Sequence, residues 1–175
     1  MGVCRIKMII VSLFVLFISS CGPSAPKYSW RSEPSTSVVR NNVFEASVKL
    51  SPCASFGCDC FDLKVENATS LEIQINWNKT YYVKYGHNEG RFLLEGEKYL
   101  GRQGWGSPDT VFPGRKLFKL ICPSRSVYFS RQEAKWLHKA MDPGQQGVYL
   151  TVIAEGKEIS ESLSMTLIRE DMTMK

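Results

Sequence analysis

The sequence has little of what most hydrolases and metalloenzymes need. Among its 175 residues there are only two histidines, His87 and His138, and neither lies in an HExxH or similar spacing of metal ligands. No GxSxG motif of the α/β-hydrolases occurs either. We therefore expect a protein that is not an enzyme and that holds neither a metal nor a cofactor.

Charge of one sign is also scarce. The 22 lysines and arginines stand against 17 acidic residues, which gives a net charge of +5, and no basic run with interleaved aromatic residues occurs. We therefore predict no nucleic-acid partner. Asp59 and Asp62 flank Cys60, but two carboxylates fall short of the roughly six to eight oxygens that calcium takes. The glycines Gly101, Gly104 and Gly106 lack the lysine of a phosphate-binding loop.

The sequence also lacks an apolar run long enough to cross a bilayer, which takes about 20 residues. The run from Met8 to Ile18 is shorter; Arg5 and Lys7 precede it and Ser19-Ser20-Cys21 follow it. This order of positive, apolar and small residues is typical of a secretory signal peptide. The sequence therefore predicts a leader over residues 1–20.

The motif Ile18-Ser19-Ser20-Cys21 resembles the lipobox of bacterial lipoprotein precursors. This resemblance implies that the Cys21 thiol is diacylglyceryl-modified, that the leader is removed before it, and that the new amino terminus is acylated, for example by palmitate. Several acyl chains give the lasting membrane attachment that one chain does not. Because Gly22 rather than an aspartate follows, the resemblance also favours the outer membrane of the cell envelope.

The segment after Cys21 has the composition of a tether. Residues 22–42 hold three prolines, five serines and no hydrophobic periodicity. Such a segment buries too little apolar surface to offset its ordering entropy, so we predict a lipidated cysteine and flexible tether over residues 21–42. Tyr28 and Trp30 are unusual in a tether, and two placements stay open for them: the lipid surface or the folded domain.

From Val43 onward the sequence alternates with a period of two, which is typical of half-buried strands. Glu155-Gly156 marks the turn of a terminal hairpin. Eight or nine short strands between turn signals predict an all-β domain over residues 43–169, with a C-terminal tail over 170–175. We expect an antiparallel, immunoglobulin-like β-sandwich, with a barrel as the alternative.

One segment departs from this alternation and predicts a short inserted helix. Ser130 is followed three residues later by Glu133, which is the spacing of a capping box. Ala134, Leu137 and Met141 then fall on one helical stripe. Asp142-Pro143-Gly144 would end the helix, so its expected length is about ten residues.

Four of the six cysteines remain after Cys4, in the leader, and Cys21 are set aside; they are Cys53, Cys58, Cys60 and Cys122. An even number in an exported chain predicts two disulfides. A bond between Cys58 and Cys60 would close a very tight ring. Cys122 is therefore expected to join Cys58 or Cys60, while Cys53 takes the other. A four-thiolate zinc site is the alternative, although the spacing C-x4-C-x-C is not its usual one.

The sequence favours a non-enzymatic binding or accessory module, attached to the membrane through its lipid and contacting an envelope protein. Trp105, between two glycines, is the candidate contact residue because aromatic side chains are enriched at binding hot spots. The segments NWNKTYYVKY, GRFLLEG and PDTVFPG also resemble uncharacterised bacterial lipoproteins. This second resemblance implies no particular activity. The alternative is an envelope thiol-redox protein or enzyme that uses the Cys58/Cys60 region.

Overall fold

The computed structural model describes residues 28–54, 57–94 and 107–172. Cys21, the predicted leader and Trp105 lie outside the described residues. Within those residues the chain is all-β, with fourteen strands and two single 3-10 turns, Trp77–Lys79 and Ser124–Ser126. The strands in chain order are β1 (Tyr28–Glu33), β2 (Thr36–Arg40), β3 (Phe44–Leu50), β4 (Phe61–Asn67), β5 (Ile73–Ile75), β6 (Tyr81–Lys84), β7 (His87–Gly90), β8 (Phe92–Leu94), β9 (Asp109–Val111), β10 (Lys116–Pro123), β11 (Val127–Ser130), β12 (Lys135–His138), β13 (Gly144–Ala154) and β14 (Lys157–Asp171).

The strands form two large sheets and one hairpin. The first sheet has seven strands in the order β1-β14-β13-β5-β9, with β6 also pairing with β13 and β7 pairing with β6. The second sheet has five strands in the order β2-β3-β4-β10-β8, and β11 pairs with β12. All these pairings are antiparallel. The prediction of an all-β, antiparallel domain is confirmed.

The two large sheets share one hydrophobic core. The predicted alternation is visible in β3 and β4, where every second residue is buried. Phe44 and Leu63 from the second sheet and Leu150 and Leu163 from the first are at most 1% exposed and belong to the same cluster. Alternation places the polar residues of these strands on the opposite face of each sheet. No helix among the described residues is both long and apolar enough to cross a membrane.

The predicted helix after Ser130 is wrong, since this segment is the turn and second strand of the β11–β12 hairpin. The backbone N–H of Glu133 does donate to Ser130 Oγ, at 3.3 Å, but the bond closes a turn rather than a helix. Serine side chains make such local bonds in turns as readily as at helix starts. Ala134 has a φ of 51°, which is incompatible with a right-handed helix.

Cross-strand aromatic contacts stabilise this hairpin instead. Phe129 lies opposite Trp136 in the ladder, and their ring centroids are 5.4 Å apart in an edge-to-face arrangement. Such a pair contributes about 0.5–1.5 kcal/mol beyond area burial. Ala134, Leu137 and Met141 do have helical spacing in the sequence. Cross-strand pairing nevertheless determines the fold of the segment.

The tether prediction is wrong for residues 28–42. Strand β1 pairs with β14 from Tyr28↔Asp171 to Glu33↔Thr166, and β2 pairs with β3. Trp30 packs against the core, so the placement on the folded domain holds for this residue. Ordering these residues costs conformational entropy. The ladder hydrogen bonds and the packing of Trp30 against the core offset that cost. Strand β14 likewise runs to Asp171, beyond the predicted boundary at residue 169.

Candidate functional site

A cleft of about 560 Å³ lies between β1 and the segment that follows β3. We call it the β1 cleft. It is lined by Tyr28, Ser29, Trp30, Arg31, Ser32, Ser35, Lys49, Leu50, Ser51, Pro52, Cys53 and Ala54. The lining combines two aromatic rings, four serine hydroxyls and two cations. A volume of roughly 300–1,000 Å³ with a few polar groups is usual for a binding site.

Strand alternation places the aromatic rings of β1 on one side. Tyr28 and Trp30 are two residues apart, so both project from the same face of the strand. The guanidinium carbon of Arg169, which is the ladder partner of Trp30, lies 4.8 Å from the Tyr28 ring centroid and 5.9 Å from that of Trp30. Cation–π contacts of this kind contribute about 0.5–1 kcal/mol at partly exposed sites. Arg169 therefore holds both rings in place beside the cleft.

The indole nitrogen of Trp30 is an unusual feature of this wall. Nε1 is buried and has no hydrogen-bond partner, alone in this respect among the side chains of the described residues. Because indole is a donor only, nothing but an acceptor satisfies it, and leaving it unpaired costs about 1–3 kcal/mol. Because Nε1 is buried, a ligand or partner could reach it only if neighbouring side chains moved, and an oxygen brought within reach would then recover that cost.

Gly57 makes room for the same indole ring. Its φ is +134°, and a Cβ there would lie 3.4 Å from Trp30 Cζ2 and 2.5 Å from the Ala140 Cβ. Any side chain would therefore collide with the neighbouring segment as well as strain the backbone. The absence of a Cβ at Gly57 lets three separate segments meet behind the cleft.

The cations of the β1 cleft are partly neutralised by neighbouring carboxylates. Arg31 donates to Glu170 at 2.5 Å and also to Glu33. These two hydrogen bonds raise the pKa of the Arg31 guanidinium above its ordinary value, and the bond with Glu170 has the larger effect. Lys49 lies 3.5 Å from an Asp62 oxygen. The cleft thus presents aromatic and hydroxyl groups rather than a strong field of one sign.

The four predicted disulfide candidates form two bonds, Cys53–Cys58 and Cys60–Cys122. Of the two partners left open for Cys122, the structure selects Cys60. Because Ile121 pairs with Phe61 in the β4–β10 ladder, Cys122 and Cys60 meet directly across the two strands. The Cys60–Cys122 bond has a sequence separation of 62 and contributes about 4 kcal/mol through the unfolded state.

A histidine and a carboxylate lie against this second disulfide. His138 Nδ1 is 3.7 Å from Cys60 Sγ and 3.4 Å from Asp59 Oδ2. The backbone N–H of Met141 donates to the Cys58 carbonyl at 2.7 Å, which keeps the end of β12 beside the cysteines. We call Cys60, Cys122, His138 and Asp59 the disulfide–histidine cluster.

Sequence reasoning missed this cluster because it placed the segment that contains His138 on a helix. The juxtaposition depends on the β11–β12 hairpin lying next to the loop before β4. No spacing in the sequence reports that contact, since His138 and Cys60 are 78 residues apart. His87, the other histidine, lies in β7 and is exposed.

A smaller cavity of about 250 Å³ is lined by Tyr82, Lys84, Arg125 and Asp142, among others. The Tyr82 hydroxyl donates to Gln146 Oε1, and burial raises the pKa of Tyr82 well above its ordinary value. Lys84 donates to Asp142 at 2.7 Å. That hydrogen bond raises the pKa of Lys84 and lowers that of Asp142. Lys84 and Asp142 therefore neutralise each other in the lining of this cavity.

No family model matches the chain, and neither a curated protein nor a solved structure matches it. The function must therefore be argued from the β1 cleft and the disulfide–histidine cluster themselves.

Proposed function

We propose that this protein is a non-enzymatic binding module, lipid-anchored in the bacterial cell envelope, which holds an extended segment of an envelope protein along β1. The observation that carries the proposal is the β1 cleft, where an aromatic wall lines the end strand of a sheet. The indole donor of Trp30 without an acceptor lies in the same wall.

The position of β1 in the sheet favours an extended ligand. Strand β1 is the last strand at its end of the seven-stranded sheet, and β14 is its neighbour on the other side. An edge strand presents backbone N–H and C=O groups to an incoming chain. Recognition by strand addition takes affinity from these main-chain bonds and specificity from pockets for alternate side chains. The β1 cleft supplies such a pocket beside the strand.

The chemistry of the cleft favours a polypeptide over a charged small molecule. Tyr28 and Trp30 are the residue types enriched at binding hot spots. A peptide carbonyl is the common acceptor that the Trp30 indole requires. Arg31 and Lys49 are already paired with carboxylates, so the cleft lacks the free charge that an anionic ligand would need.

The predicted anchor would keep the cleft near the lipid surface. Tyr28 lies seven positions after Cys21, with six residues between them, and an extended chain covers at most about 3.6 Å per position, hence about 25 Å. Since residues 28–42 belong to the sheets, the tether is reduced to the few residues before Tyr28. We therefore propose a partner that is itself held in or close to the same membrane, with the outer membrane favoured.

We also propose a two-sheet β-sandwich as the architecture of the module. The immunoglobulin-like form of that prediction is not retained, because β2, β3 and β4 are consecutive neighbours in one sheet. The seven-stranded immunoglobulin arrangement instead distributes its strands as ABED and CFG.

Site-directed photocrosslinking in intact cells tests the binding proposal. A photoreactive side chain is placed at Ser35 in the cleft of the full-length chain, and at Phe118 as a control, which is 70% exposed on the other sheet. We expect one envelope protein to crosslink from Ser35 and not from Phe118. Trp30→Phe, which removes the indole donor but keeps an aromatic ring, should weaken the crosslink about fivefold, since an unmade hydrogen bond costs about 1 kcal/mol.

A blocking variant provides the matched control for that experiment. Ser32→Trp fills the cleft, whereas Ser162→Trp adds the same ring at an exposed position of β14. The first should abolish the crosslink and the second should leave it unchanged. Equal crosslinking from cleft and control positions, or no effect of Ser32→Trp, would contradict the proposal.

A thiol-redox protein is the second candidate, favoured by the contact between His138 Nδ1 and Cys60 Sγ. The pairing moves this candidate from the Cys58/Cys60 region to the Cys60–Cys122 bond, because Cys58 and Cys60 belong to different disulfides. Thiol titration of the folded protein in mild reductant distinguishes the two candidates. Release of two thiols at Cys60 and Cys122 supports the redox candidate, while none released rejects it.

A further inference from the structure

The disulfide–histidine cluster has the donor set of a zinc site. The ligand atoms of Cys60, Cys122 and His138 all lie within 4.8 Å of one another. Asp59 is not one of these three, and its carboxylate oxygen lies 3.4 Å from His138 Nδ1. Two thiolates, one imidazole and one carboxylate are among the groups that bind zinc in proteins.

Two of the ligand-pair distances in the cluster agree with a shared tetrahedral ion. With bonds of about 2.3 Å to sulfur and 2.0–2.1 Å to nitrogen or oxygen, a tetrahedral angle separates sulfur from nitrogen by about 3.6 Å and nitrogen from oxygen by about 3.4 Å. The observed separations are 3.7 Å from Cys60 Sγ to His138 Nδ1 and 3.4 Å from His138 Nδ1 to Asp59 Oδ2. Those two ligand pairs need little rearrangement, whereas the two sulfurs, which are bonded to each other in the disulfide, must separate to about 3.8 Å to bind one ion.

The burial of the cluster also suits an ion that enters from one side. Cys60 and Cys122 are only 4% and 6% exposed, and both lie beside the Ile121↔Phe61 pair of the β4–β10 ladder. The side chains of His138 and Asp59 are 24% and 29% exposed. The buried pair would fix the position of the ion, while the partly exposed pair leaves a path for its entry.

We propose that the disulfide–histidine cluster is a redox-gated site for a thiophilic divalent cation of the zinc class. In the disulfide-bonded form neither sulfur is a thiolate, and the thiolate is the species that binds metal. A dithiol reductant supplies two electrons that break the Cys60–Cys122 bond, the two cysteine sulfurs gain two protons, and the reductant becomes a disulfide. The cation then binds both sulfurs as thiolates and releases those two protons. This inference does not depend on the β1 cleft or on a partner protein.

The redox dependence of metal binding arises because the same two sulfur atoms form either the disulfide or the bonds to the metal. A bond between Cys60 and Cys122 and a metal held by the same two residues exclude each other. Oxidation of the site would therefore expel the ion, and a bound ion would protect the two thiols from oxidation. Cys53 and Cys58 form a separate disulfide and are not part of the proposed site.

Metal titration of the full-length chain in both redox states tests the proposal. One sample is purified and kept without oxygen in a phosphine reductant, and the other is left oxidised; both are titrated with Co²⁺ as the spectroscopic probe. We expect the reduced chain to bind one Co²⁺ with thiolate-to-cobalt charge-transfer absorption, and the oxidised chain to show none. His138→Ala and Asp59→Asn should each weaken Co²⁺ binding at least about tenfold, whereas His87→Ala, at the exposed histidine, should not change it.

A protection experiment on the unmutated cysteines keeps the proposal testable if a variant folds poorly. Zn²⁺ should protect Cys60 and Cys122 of the reduced chain from alkylation, read residue by residue by mass spectrometry, and leave Cys53 and Cys58 reactive. Equal protection of all four cysteines would indicate a four-thiolate site and overturn the proposal. Unchanged Co²⁺ binding in His138→Ala, or equal binding by the oxidised chain, would also overturn it.

Discussion

At the scale of single residues, side-chain environments in this protein are decided by neighbours that are distant in sequence. Asn67 begins a sequence that matches a glycosylation motif, yet the residue is only 2% exposed. Its side-chain amide donates to the Leu71 and Val111 carbonyls at 2.7 and 2.8 Å. Those bonds connect the end of β4 to the segment at Leu71 and to the end of β9 at Val111. Asn67 therefore has a structural role, and the spacing of the motif in the sequence does not reveal it.

The ion pair of Lys84 and Asp142 leads to a prediction about pH. Lys84 lowers the pKa of Asp142, so the stabilisation is present above the carboxyl's unfolded value of about 3.9 and is lost as pH falls through the folded value. The same contact raises the pKa of Lys84, so it is also lost as pH rises past about 10.5. Asp142→Asn should lower the free energy of unfolding by at most about 1 kcal/mol near pH 7.

Urea denaturation of both proteins at several pH values measures this effect. The difference between Asp142→Asn and the parent should shrink as pH falls below the unfolded carboxyl value of about 3.9 and vanish once the folded carboxyl is protonated too. A difference that persisted unchanged through this acid range would show that the substitution acts through packing rather than through charge.

At the scale of elements, alternation in the sequence was a reliable guide wherever a strand has one buried face. The β13–β14 hairpin is the clearest case, with its turn at Glu155-Gly156 as expected and a continuous ladder from Ala154↔Lys157 to Gly144↔Leu167. The predicted helix failed because a stripe of three apolar residues fits a helix and a turn-plus-strand equally well. The tether failed because β1 and β2 gain their stability from β14 and β3, not from their own composition.

The hairpin turn gives a second prediction, on stability. Glu155 and Gly156 have φ values of 51° and 74°, as a type I′ turn requires. Asparagine tolerates this left-handed region better than glutamate. Glu155→Asn should therefore raise the free energy of unfolding by about 0.5–1 kcal/mol.

Chemical denaturation compares this variant with a control that makes the same change in charge. Glu72→Asn alters an exposed residue outside the described strands and should change the free energy of unfolding by less than about 0.5 kcal/mol. If Glu155→Asn were no more stable than Glu72→Asn, the turn conformation would not be limiting.

At the scale of the whole molecule, both candidate sites are assembled from segments that are far apart in the chain. The β1 cleft joins residues 28–35 to residues 49–54. The disulfide–histidine cluster joins the loop before β4, the end of β10 and the end of β12. In both places the sheets bring together segments that are separate in the chain, so the proposed functions depend on the intact domain.

The proposed anchor gives a prediction at this scale. If Cys21 carries the lipid, Cys21→Ala should leave an uncut precursor or release the domain from the membrane fraction, because no acyl chains are then attached. Cys4→Ala, in the predicted leader, should leave attachment unchanged.

Membrane fractionation and mass spectrometry of the mature amino terminus measure this outcome. An unmodified Cys21 in the parent protein, or membrane attachment of a cut product that survives Cys21→Ala, would contradict the lipid anchor.

The sequence by itself determined the local patterns of this protein. Alternation of apolar and polar residues specified antiparallel strands, and the four cysteines after the predicted leader specified two disulfides, because these depend on spacing and composition. Only the tertiary structure decided that Cys60 rather than Cys58 bonds to Cys122, that Trp30 lines a cleft and that His138 lies beside a disulfide. Those outcomes depend on strand register and on which sheet edges meet. Contacts between distant segments produce no periodic pattern in a single amino-acid sequence, so sequence analysis does not detect them.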